Sequence, residues 1–149
     1  MKLEDELKTK FQSELQKSFL NIIYTGSWLH NKVEGILKPF NLSHQQYNVL
    51  RILRGKHPGQ LNLQDISERM IDRMSNATRL VEKLRMKGLL TREICPENRR
   101  KVEIKITEKG LKLLSALDEV IKKGNEAILS KITEAEALDL NNYLDRVRS

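Results

Sequence analysis

At 149 residues the chain has room for one domain, or for a domain with helical extensions. Hydrophobic residues make up 39% and charged residues 32%, with a formal net charge of +7. No apolar run reaches the roughly 20 residues that cross a bilayer, and a single cysteine excludes an internal disulfide framework. The mixed-charge start MKLEDELKTK does not read as a signal peptide, so a cytoplasmic protein with no membrane partner is expected.

From Leu3 to Leu37 there is no proline, and apolar residues recur at 3, 7, 11, 15, 19, 22, 29, 33 and 36. That period predicts one long helix or two in line, ending before Pro39. Gly26 interrupts the stripe and permits either close helix contact or a bend. Tyr24 and Trp28 lie one turn apart on the opposite face. A helix with two apolar faces either buries both in its own core or turns one towards a partner.

Ser43 and Gln46 have capping-box spacing and open a second helix through Tyr47, Leu50 and Leu53, which Lys56-His57-Pro58-Gly59 ends. Asn62 caps a short helix that points Leu63, Ile66 and Met70 inward, followed by a turn at Ile71-Asp72-Arg73. The next helix is expected from about Met74 to Lys87, with Met74, Ala77, Leu80, Val81 and Leu84 as its buried stripe. Its other face carries Ser75, Arg79, Glu82 and Lys83, with Asn76 and Thr78 at the margins. Small polar groups and an arginine near a helix N-terminus suit insertion into a DNA major groove.

Gly88 stands where a left-handed residue closes the helix, with Leu89 placed to touch Leu84. Leu90, Arg92 and Ile94, then Val102, Ile104 and Ile106, alternate as two strands of a hairpin. The loop is expected over Cys95–Arg100, with Pro96 at its first turn position. Asn98, Arg99, Arg100 and Lys101 then sit at the ribbon tip, and arginines there suit a narrow minor groove. Residues 66–109 hold 12 Lys and Arg against 7 Asp and Glu. The positive excess therefore lies on this reading element and points to a polyanion such as double-stranded DNA.

Thr107 caps a long helix with Leu113, Leu117, Val120 and Ile121 reaching towards Ile128. Thr133 and Glu136 open a last helix through Ala137, Leu140, Leu144 and Val147. One small domain cannot cover all these stripes, whereas the terminal helices of two chains packing together would.

Helix, helix and ribbon in this order make a winged helix-turn-helix. The runs LSHQQYNVLRIL, LQDISERM, NATRLVEKLRMKGLL and CPENRRKVEIKITEKG resemble the core of the MarR family of prokaryotic transcription regulators. The resemblance covers Leu42 to about Leu114. That family's wing usually reads Asp-x-x-Asp-Arg-Arg, and Cys95 and Asn98 stand at the two acidic positions. Asp72 and Arg73 also depart from the usual apolar residue and small cap. The resemblance implies a mainly α fold: a winged core over 42–110 with a two-stranded β-wing, flanked by dimerisation helices over 1–38 and 111–149, all one domain. It implies a homodimeric repressor on a pseudo-palindromic operator, working through the separation of two recognition helices. It further implies a small aromatic or amphipathic effector, for which Tyr24, Trp28 and His30 are the candidate contacts. The alternative is a winged helix that serves protein interaction without specific DNA binding.

For catalysis the chain offers no HExxH, CxxC, GxGxxG, P-loop or nucleophile elbow, so no enzyme and no cofactor is expected. His30, His44 and His57 are widely separated and lack partners at ligand spacing, so no metal is expected. Cys95 reads as a strand-end residue at the wing base. The peroxide-sensing branch of the resembled family places its reactive cysteine in the first helix, where this chain has none.

Overall fold

The computed structural model describes residues Met1–Ser149. Helix α1 spans Leu3–Leu7 and α2 spans Glu14–Leu37, followed by a single 3₁₀ turn at Lys38–Phe40. The core then runs α3 (His44–Lys56), α4 (Leu63–Arg69), α5 (Ala77–Met86), β1 (Leu90–Cys95) and β2 (Asn98–Ile106). Helices α6 (Glu108–Leu129) and α7 (Glu134–Arg148) complete the chain. No helix is long and apolar enough to cross a membrane.

Local chemistry sets most boundaries. Ser43 with Gln46, Asn62 with Asp65, and Thr133 with Glu136 each form a full capping box, and the Thr107 hydroxyl accepts from the Gly110 N–H. Each cap satisfies backbone donors that the first helical turn leaves unpaired. The first helix is the exception to expectation. Lys8 takes a left-handed conformation at φ 50°, so α1 stops at Leu7, and Ser13 caps a separate α2. The two are not in line: α1 lies against α2, with the Glu4 carboxylate 2.6 Å from the Lys17 amine and Leu3 buried. Helix α2 runs unbroken through Gly26.

The core is built almost wholly from the middle of the chain. Leu50 and Leu53 of α3, Ile66 of α4, Val81 and Leu84 of α5, and Ile104 of β2 join Leu114 and Leu117 of α6 in one cluster. From α2 only Leu37 is buried, and α7 contributes no buried residue. In the hairpin Leu90 pairs with Ile106, Arg92 with Ile104 and Ile94 with Val102. Leu61 exchanges two hydrogen bonds with Ile104, at 3.0 and 2.8 Å, tying the ribbon base to the segment before α4. The expected six-residue loop shrinks to Pro96-Glu97, because Cys95 already pairs with Asn98. Arg99 and Arg100 are therefore strand residues. Ile94 is exposed, since beyond Arg92 the ribbon has left the core behind.

At the C-terminus of α5 the Leu89 N–H donates to the Leu84 carbonyl (3.1 Å) and the Gly88 N–H to that of Arg85 (2.9 Å). Gly88 has φ 71°, which completes the closure expected from the sequence. Gly110 opens the way for α6: a Cβ there would lie 2.4 Å from the Leu89 carbonyl oxygen and 2.7 Å from Ile106 Cγ1. Gly110→Ala should destabilise the fold by about 1–3 kcal/mol through overpacking. Gly55→Ala, with nothing within 4 Å of the added Cβ, should be neutral or stabilising by roughly 0.5–1 kcal/mol. Urea unfolding of both variants checks the pair.

Candidate nucleic-acid interface

Helix α5 starts three residues later than expected. Asn76 is its N-cap, with Oδ1 accepting the Arg79 N–H at 3.1 Å. The helical wheel therefore does not extend back to Met74, which is 92% exposed rather than part of the buried stripe. Ser75 also precedes the cap, and its hydroxyl is enclosed without a partner, so it does not stand on the outer face. Asn76 spends its carbonyl oxygen on the cap and retains only its amide NH₂ for a ligand. Thr78, Arg79 and Lys83 lie exposed along the outer face, as expected.

The turn before α5 is held by groups that no periodicity marks. Buried Asn48 of α3 accepts the Ile71 N–H through Oδ1 at 2.9 Å. Asp72 accepts the Met74 N–H through Oδ1 at 2.9 Å and the Ser75 N–H through its carbonyl at 3.2 Å. A buried polar residue inside an apolar helix is the one sign that Asn48 holds something, and it does not say what.

Charge on this face is arranged to leave cations free. Glu82 is clamped by Arg85 through two hydrogen bonds of 3.0 and 2.7 Å. The Arg85 hydrogen bonds lower the Glu82 pKa and neutralise its charge locally. No ion pair engages Arg79, Lys83, Arg99, Arg100 or Lys101, and all five are exposed. Lys87 is different: its ammonium donates to the Asn41 carbonyl and to Gln46 Oε1 (3.1 Å), and burial lowers its pKa. It ties the end of α5 to the start of α3.

On the ribbon, Asn98 Oδ1 accepts the Arg100 backbone N–H at 3.1 Å. The side chain at the usual acidic position thus orders the strand carrying the arginines and leaves both guanidinium groups unengaged. Cys95 is half-buried at the end of β1, a free thiol opposite Asn98.

The three residues considered for an effector are not brought together. Tyr24 and Trp28 share a groove of about 420 Å³ with Leu3, Glu6 and Lys17, partly roofed by α1. The nearby Glu6 carboxylate raises the Tyr24 phenol pKa. His30 is not in that groove. It meets His44 edge to face at 5.3 Å, and its Nε2 lies 3.9 Å from the Glu34 carboxylate. Burial, and then His30, lower the His44 pKa.

Comparison with known proteins places this arrangement. The MarR family model matches residues 42–102. The HTH-type transcriptional repressor IacR of Pseudomonas putida is 30% identical over 115 residues, 77% of this chain and 68% of that protein. A MarR transcription factor from Planctomyces limnophilus is 35% identical, with a TM-score of 0.71 over 91% of this chain and 98% of that one. The fold is also that of S. aureus MepR in its DNA complex, at 20% identity and a TM-score of 0.74, covering 93% and 97% of the two chains. With a winged helix-turn-helix core, free cations on its helix and ribbon, and these relatives, the chain belongs to the MarR family of transcriptional regulators.

Proposed function

We propose that the protein is a cytoplasmic, homodimeric repressor that binds a pseudo-palindromic operator in double-stranded DNA and is modulated by a small aromatic or amphipathic ligand. The observation that carries this reading is the set of unpaired, exposed cations on two elements joined at one rigid junction. Helix α5 would enter the major groove with Thr78, Arg79, Lys83 and the amide of Asn76. The ribbon would reach the adjacent minor groove with Arg99 and Arg100, Lys101 adding a phosphate contact. The DNA-bound state of MepR and the repressor name of the Pseudomonas relative support the same reading.

Residues 42–110 form the proposed reading unit and 1–38 and 111–149 the dimerisation segments. The terminal helices expose Leu15, Phe19, Ile22, Leu129, Leu138 and Val147. Burying such surface stabilises by roughly 25 cal/mol per Å² of apolar area. A second copy covers it and holds two α5 helices at the separation of half-sites about one helical turn apart. An aromatic ligand in the groove of Tyr24 and Trp28 would alter that separation, because both residues stand on α2.

Arg99→Ala with Arg100→Ala should weaken binding to operator and random DNA alike. The log–log salt slope should fall by roughly 0.9 for each phosphate that the variant no longer neutralises. Titrations at several salt concentrations give the answer. An unchanged slope removes the ribbon from the interface. No binding of the parent to random duplex DNA at low salt would make the protein an interaction module instead.

Deleting Thr133–Ser149 should produce a monomeric or poorly soluble chain. Its operator affinity should fall much further than its random-DNA affinity, because two linked half-site contacts raise affinity through effective concentration. Sedimentation velocity of both chains, paired with binding titrations, measures this. A truncated chain that still dimerises and binds operator equally well would contradict the assignment of α7.

A further inference from the structure

The turn at residues 71–76 displays two large apolar side chains immediately before α5. Met74 is 92% exposed and Ile71 69%. A lone exposed apolar residue needs no explanation, but this turn is built rather than slack. Asn48 holds Ile71, Asp72 holds Met74 and Ser75, and Asn76 caps the helix that follows. The backbone under Met74 is fixed on both sides while its side chain projects away from the fold. Its exposed neighbours carry opposite charges: the Asp72 carboxylate accepts the Met74 N–H, and Arg73 takes part in no ion pair.

This position adjoins the N-terminal end of α5, the end that carries Asn76, Thr78 and Arg79. In a recognition helix that end approaches the base edges. The one apolar group that base edges present in the major groove is the thymine C5-methyl. Methionine suits it, because an unbranched polarisable chain adapts to a small apolar target without demanding one geometry.

The geometry points to Met74 as a specificity-determining contact that seats its thioether against a thymine methyl in each operator half-site. This deepens the DNA-binding reading and rests on it. Asp72 and Asn48 act as positioning residues, since they reach the base only through the backbone they hold.

The test uses the full-length chain and an operator selected by it from random duplexes. Each thymine is replaced in turn by uracil, which keeps the pairing and removes only the methyl group. One thymine per half-site should show about a fourfold loss of affinity, the factor for roughly one buried methyl-sized group. Met74→Ala should erase that penalty at that position and leave penalties elsewhere intact, while Met74→Leu should preserve it. Thermal melting of Met74→Ala should match the parent, as expected for a side chain 92% exposed. Equal uracil penalties in parent and Met74→Ala at every thymine, with operator binding intact, would overturn the contact. If no operator can be selected at all, the DNA-binding reading fails first and the contact falls with it.

Discussion

The structure depends on the closure between the end of α5 and the base of the ribbon. Five hydrogen bonds converge there within a few residues. The Leu84 and Arg85 carbonyls accept from Leu89 and Gly88, and the Leu89 carbonyl accepts from Thr107. The Thr107 hydroxyl donates to the Gly88 carbonyl at 2.7 Å, and the Lys109 ammonium to that of Lys87 at 2.9 Å. Each bond contributes only about 1 kcal/mol net, but together they remove the freedom of the helix and the ribbon to tilt independently. Gly110 is required because α6 departs from the same point, with the Leu89 carbonyl where a Cβ would be. A surface for two adjacent grooves of one duplex thus comes from a single locked corner.

Around that corner the protein divides its labour unevenly. The 22 buried residues lie almost entirely between Leu37 and Leu117. That core orders the turn before α5, the helix itself and the ribbon base. Helices α2 and α7 add only Leu37 to the buried residues and expose broad apolar faces. A long helix with nothing buried is costly alone, since most helical stability comes from packing an apolar face. In the proposed dimer the same faces set the distance between two reading corners, so packing and spacing become one variable.

Much of this was legible in the sequence because it is local. The capping boxes at Ser43 and Thr133, the cap at Asn62 and the glycine closure at Gly88 each fix structure within a few residues, and all stand where expected. What escaped depends on groups distant in the chain or on conformations without a marker. Lys8 breaks the first helix in a left-handed conformation with no glycine to announce it. Met74 fits the helical period perfectly, but Asp72 captures its N–H first and Asn76 starts the helix after it. The hold of Asn48 on Ile71 links positions 23 residues apart. On the reading face, Arg79, Lys83, Arg99 and Arg100 were legible as exposed cations. The inward turn of the Ser75 hydroxyl was not, because a wheel drawn on the wrong helix start assigns it to the wrong side.

If α5 and the ribbon engage each half-site as one rigid unit, footprinting a selected operator with a major-groove and a minor-groove probe is the most direct check. Each half-site should show a protected stretch of major groove with a protected stretch of minor groove beside it. The pair should recur once, with its centre about one helical turn away. Protection confined to one groove, or a single unrepeated footprint, would contradict the joint action of helix and ribbon in a twofold pair.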